Sequence, residues 1–145
     1  MFLLLEPLRS VDELGCWAAV VGRFSQVAGY TSFGNFFLVD PNTRQFAVLY
    51  TIAPELLPTQ FVGGDSFRTG FLTDPGIIAH LGRPDDIAIL AKRLGTLDAD
   101  EVYIPCPYPF LGGKTRDLDS YQKANVWTFV DLVGQMQGVG VPDEA

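Results

Sequence analysis

The chain has 145 residues, the usual size of one domain, and a domain this long buries roughly 68% of the surface its unfolded chain exposes, enough for a core without disulfides or metal. Apolar residues make up 48% and charged residues 19%, which excludes a disordered chain. A net charge of -7, from 17 acidic and 10 basic residues, argues against nucleic acid and anionic membranes as partners and suits a basic protein surface.

Residues 1–9 read as an N-terminal lead-in to a first helix. Ser10 is its expected N-cap, with Glu13 closing a capping box, and Leu14, Trp17, Ala18 and Val21 recur at helical spacing. The helix should end near Gly22 or Phe24 and carry Trp17 into the core. Residues 28–34 read as a turn-rich link. Asn35–Asp40 and Gln45–Tyr50 are expected strands, joined by the turn Pro41-Asn42-Thr43-Arg44 into a hairpin. Both are apolar at nearly every position, so both faces should be covered.

Residues 52–64 read as irregular, with one short strand at 60–62. Ser66–Leu72 suggests a helical turn. Asp74-Pro75 has the form of an N-cap followed by proline, opening a short helix that Gly82 ends. A further helix covers Ile87–Leu94, with Asp85 and Asp86 in its first turn, Lys92 and Arg93 in its last, and Gly95 as C-cap. Glu101–Ile104 reads as a strand stopped by Pro105, Pro107 and Pro109. A last helix is expected from Ser120 to Met136, and residues 138–145 as a frayed tail. The order predicts a single α+β domain over 1–145: a small, mostly antiparallel sheet with helices packed on it. The alternative is a partly parallel sheet with the Val102 strand beside the hairpin.

Chemical signatures are sparse. Gly112-Gly113-Lys114-Thr115 imitates the end of a phosphate-binding loop, but Tyr108 stands where the first glycine belongs and Pro109 removes a backbone donor. His80 is the sole histidine and Cys16 and Cys106 the sole cysteines, so the usual zinc sets cannot be completed, and nothing local joins His80 to Cys106 as a catalytic pair. Asp98, Asp100 and Glu101 lack the spacing of a calcium loop. Lys114, Arg116 and Lys123 are diluted by Asp117 and Asp119. No enzyme, cofactor or metal site is therefore expected. Phe2–Leu5 lacks a basic leader and no run approaches the ~20 apolar residues of a membrane span, so the cytoplasm is the expected location.

What remains is shaped surface. The proline-, glycine- and aromatic-rich stretch from Tyr103 to Tyr121 suits either a binding hot spot built on Tyr108 and Phe110 or a loop folded back over the core. Three stretches carry a resemblance: Trp17 followed by Gly29-Tyr30-Thr31-Ser32-Phe33-Gly34-Asn35-Phe36-Phe37 and Val39-Asp40-Pro41; Phe71–Leu81 with Asp74-Pro75; and Tyr103-Ile104-Pro105-Cys106-Pro107 with Leu111-Gly112-Gly113. In their order and spacing they resemble the C-terminal domain of immunity proteins that protect bacteria from DNase toxins of the type VI secretion system.

That resemblance implies a stoichiometric, non-catalytic function: docking on a toxin whose DNA cleft must be basic. Candidate partner contacts read from the local sequence are Asp98, Asp100, Asp117 and Asp119, with Tyr108 or Phe110 as anchor. Two other readings stand beside it. One is a small ligand-binding domain or enzyme using the Gly112-Gly113 loop or His80. The other is a homodimer formed through an apolar sheet face.

Overall fold

The hairpin at the middle of the chain is the centre of a five-stranded antiparallel sheet. A computed structural model describes residues 1–141. Strands β1 (Phe2–Ser10), β2 (Gln26–Thr31), β3 (Phe36–Val39), β4 (Gln45–Tyr50) and β5 (Glu55–Val62) lie in sequence order across the sheet. Residues of β3 and β4 pair as Phe36 with Leu49, Phe37 with Val48, Leu38 with Ala47 and Val39 with Phe46.

Side chains alternate between faces along a strand, and here both parities are apolar because both faces are covered. Phe36, Leu38, Ala47 and Leu49 enter one core with Trp17, Val102, Val126, Phe129, Val130 and Val133. Phe37, Val39, Phe46 and Val48 enter a second, with Phe67, Phe71 and Leu81. In the second core Phe67 stacks between Phe46, at a centroid distance of 4.2 Å, and Phe71, at 4.9 Å.

The second core is roofed by two short helical segments. α1 (Gly64–Ser66) continues as a π turn over Phe67–Phe71, and α2 (Pro75–Ile77) as another over Ile78–Gly82. Asp74 caps α2 as the sequence indicates, accepting from the Gly76 and Ile77 amides. α3 (Pro84–Leu94) follows, with its acidic first turn, basic last turn and Gly95 stop all in place.

The first core is closed from the other side. β6 (Glu101–Pro105) and β7 (Tyr121–Asn125) form a separate two-stranded antiparallel sheet, and α4 (Val126–Met136) follows β7 directly. Asn125 caps α4 by accepting from the Trp127 and Thr128 amides. An isolated helix of 11 residues is marginal. Burial of Phe129, Val130 and Val133, at about 1.5–3 kcal/mol per side chain, holds it.

The architecture is the expected α+β arrangement of antiparallel sheet and packed helices, and several element assignments change. The lead-in at residues 1–9 is an edge strand, whose register against β2 slips between Leu4 and Arg9. The link at 28–34 belongs largely to β2, and the irregular stretch at 52–64 to β5. Residues 121–125 are strand, not helix, because their backbone pairs with β6. The sheet is not partly parallel: β6 lies outside it.

The first helix is a 3-10 segment, Val11–Ala19, broken at Gly15, which sits at φ 64°, ψ -123°. Any Cβ there would collide with the Asp131 carboxylate. Ser10 caps this segment through the Asp12 amide, but Glu13 forms no capping box. It pairs instead with Arg9, at 3.5 Å. Trp17 is buried and donates from Nε1 to the Val130 carbonyl at 2.7 Å. Of the expected tail, Val139 packs against the first core, and residues 142–145 lie outside the described region.

Candidate functional site

β6 and β7 separate the six sequence-derived contact residues into two groups. Asp98 and Asp100 precede β6, at the end where Glu101 pairs with Asn125. Tyr108, Phe110, Asp117 and Asp119 lie in the long connection beyond the opposite end, where Pro105 pairs with Tyr121. A five-residue strand spans roughly 13 Å, so the two groups do not form one cluster.

The connection is held against α3 by arginines. Arg93 donates to the carbonyls of Leu118 and Tyr121. Arg83 donates to the Thr115 carbonyl at 3.2 Å and the Tyr121 hydroxyl at 3.1 Å, and its guanidinium lies 3.9 Å from the Phe33 ring centroid. Tyr108 and Phe110 are half-buried. Tyr108 packs its ring 5.6 Å from Phe110 and 5.9 Å from Phe129, so this part of the loop closes over the core. Burial, then the neighbouring Cys106, pushes the Tyr108 hydroxyl up. Asp117 and Asp119 are exposed, beside exposed Lys114 and Arg116.

Within the connection the Gly112 amide donates to Pro109 and the Gly113 amide to Tyr108. A Cβ on Gly113 would strike the Pro107 carbonyl. These glycines serve a closed turn whose amides already have acceptors, and a phosphate would have to compete for them. His80 is exposed in the middle of the second π turn, 6.0 Å from the Tyr50 ring. Cys16 and Cys106 are free thiols. Burial, then the Asp131 carboxylate, pushes the Cys16 thiol up, away from reactive thiolate. Among the described residues no group of three His, Cys, Asp or Glu side chains is placed to hold a metal ion.

The other end has a different character. Asp100 is an internal strut. Its Oδ1 accepts from Trp127 Nε1 at 2.8 Å, its amide donates to the Tyr30 hydroxyl at 3.0 Å and its carbonyl accepts from the Val126 amide at 2.7 Å. Burial, ahead of any charge, pushes the Tyr30 hydroxyl up, so it stays neutral and accepts. Asp98 remains exposed. It borders a groove of about 300 Å³ whose other walls include Met1, Leu3, Tyr30, Leu97 and Glu101.

Met1 and Leu3 are 47% and 42% exposed, and the Met1 carbonyl is fixed by the Ser32 amide at 2.9 Å. Burial pushes the Met1 amine down. Glu101 is partly screened by Lys123 at 3.6 Å, while the Asp98 carboxylate has no ion pair among the described residues. An apolar rim thus stands beside an open carboxylate. Met1 and Leu3 escape sequence reasoning because residues 1–9 carry no motif. The apolar run Phe2–Leu5 was the available signal.

No family model matches the chain, and no curated protein matches it. The fold is similar to a solved structure, that of Atu4351 from Agrobacterium tumefaciens, with a TM-score of 0.67 over 92% of this chain at 13% sequence identity. This chain spans 66% of that one. At that identity the likeness concerns the fold: an α+β arrangement built on an antiparallel meander.

Proposed function

We propose that this protein binds another protein without catalysing a reaction, and that its partner is a bacterial nuclease toxin which it neutralises in the cytoplasm by stoichiometric docking. The observation that carries this reading is the groove at Asp98, where an open carboxylate adjoins the exposed side chains of Met1 and Leu3. An arginine or lysine of a basic cleft would lay its aliphatic stem on the apolar rim and its charge on Asp98. The net charge of -7 would steer the encounter. The resemblance to type VI immunity proteins supports the same partner class. Tyr108, Phe110 and Asp100 are assigned to internal packing, and Asp117 and Asp119 to the periphery.

The test is co-expression with a nuclease-like toxin encoded beside this chain's gene. The protein should restore growth and co-purify with the toxin at one-to-one stoichiometry. Asp98→Lys should abolish rescue, while Asp117→Lys, at the other end of the β6–β7 pair, should retain it. Absence of both rescue and binding with every neighbouring product would remove the proposal.

A further inference from the structure

A second concavity lies along the sheet edge. β1 pairs with β2 through Leu4–Gly29 and again through Arg9–Val27, so five steps of one strand oppose two of the other. Residues 5–8, four against the single Ala28, bulge from the edge. The cleft beside them measures about 570 Å³, within the roughly 300–1,000 Å³ range of small-molecule sites. Val39, Phe46 and Phe67 line it from the second core, Leu4 from the paired part of β1 and Leu8 from the bulge. Both leucines are more than a third exposed, at 37% and 38%.

Two arginines border this cleft, in unequal states. Arg68 is neutralised by Asp65, with Glu6 at 3.9 Å. Arg44 has no ion pair or side-chain hydrogen bond among the described residues. Its side chain is exposed, and its backbone is fixed. Its amide donates to the Asp40 carbonyl at 2.8 Å and its carbonyl accepts from the Gly63 amide at 2.9 Å. Its backbone stands at φ 67°, in the left-handed region where glycine or asparagine would sit at less cost. An unpaired guanidinium carried on a backbone fixed at positive φ, beside an apolar cleft, is available to a ligand.

We infer that the cleft between the β1 bulge and α1 binds an amphipathic monocarboxylate, such as a medium-chain fatty acid, with its apolar chain along Val39, Phe46 and Phe67 and its carboxylate on Arg44. The guanidinium fork matches a carboxylate in two parallel hydrogen bonds. The charge balance disfavours a dianion. Glu6 and Asp65 together offset Arg68 and Arg44, so the cleft is neutral before binding, and a phosphate dianion would add two negative charges beside those carboxylates where a carboxylate adds one. This site is independent of the Asp98 groove and of the toxin reading.

The experiment is a titration of the whole chain with octanoate, octanol and octyl phosphate, followed by amide chemical shifts. Octanoate should bind saturably and move the amides of Val39, Arg44, Phe46 and Phe67. Arg44→Gln should weaken octanoate at least about tenfold, the worth of one charged hydrogen bond, and leave octanol unchanged. Octyl phosphate should bind more weakly than octanoate. Arg44→Gly, which suits the left-handed backbone, provides a variant that keeps its fold and should lose octanoate equally. The inference is overturned if octanoate causes no saturable shift at these amides, or if its affinity is the same in the Arg44 variants.

Discussion

Asp40 is a charged side chain placed in the interior, only 3% exposed. Its carboxylate accepts from the Arg23 guanidinium at 2.9 Å, the Asn42 amide at 2.8 Å and the Thr43 hydroxyl at 3.0 Å. Arg23 first, then the Asn42 amide, pulls its pKa down from 3.8 to about 2. A depressed carboxylate adds stability that is complete above the unfolded value and is lost as pH falls through the folded one. The wild-type advantage over Asp40→Asn in thermal melts should therefore be constant above pH 3.8 and should shrink as pH falls towards 2. A difference that holds steady through that window would show that the carboxylate is not the source. The same turn also holds Arg44, whose amide donates to the Asp40 carbonyl, so the residue that fixes the hairpin loop also fixes the backbone from which Arg44 projects.

Among the elements, the β6–β7 pair depends most on neighbours. Its connection has little buried surface of its own, and Arg93 of α3, with Arg83 just before that helix, supplies donors to its carbonyls. Arg93→Ala leaves the Leu118 and Tyr121 carbonyls short of a donor, at a cost of about 1–2 kcal/mol. Trypsin should then cut after Lys114 and Arg116 faster than in wild type, and the urea midpoint should fall. Unchanged cleavage would mean that Arg83, Tyr108 and Phe110 hold the loop without Arg93.

The elements legible in the sequence are those whose stability is local. The β3–β4 hairpin has its turn and its apolar runs, and α3 has its caps and charges in order. The elements missed are those fixed by distant partners. β7 reads Tyr121-Gln122-Lys123-Ala124-Asn125, without a strand's apolar pattern, and is strand because β6 pairs with it. β1 and β5 carry Pro7 and Pro58, which sheet edges tolerate and which hide them from a pattern search. Gly15 falls within the expected first helix, and its close approach to Asp131, far along the chain, leaves no local trace that a side chain is excluded there.

The candidate site was half legible for the same reason. Asp98 is open as its sequence neighbourhood suggests, whereas the carboxylate of Asp100 is taken by Trp127. Arg44 did carry a local signal, an arginine in the fourth place of a hairpin turn where glycine or asparagine is usual.

For the molecule as a whole, the charge of -7 is the property that a partner would meet first. Association with a basic toxin should be fast at low salt and should slow by about tenfold or more as the Debye length shrinks from about 30 Å at 0.01 M to about 8 Å at 0.15 M. Stopped-flow mixing would measure this. A rate indifferent to salt would leave the charge a matter of solubility.

The two ends of the chain meet in the first core. The Cys16 amide donates to Asp131 at 3.1 Å across 115 residues, and Trp17 Nε1 reaches Val130 across 113. The meander of β1 to β5 is complete by residue 62, but the face bearing Phe36, Leu38, Ala47 and Leu49 receives α4 only at residue 126. During synthesis at roughly 5–20 residues per second, that face waits several seconds for its cover. A nascent chain paused before residue 126 would present the face to chaperones. α4 is therefore the element that completes the cover of this face.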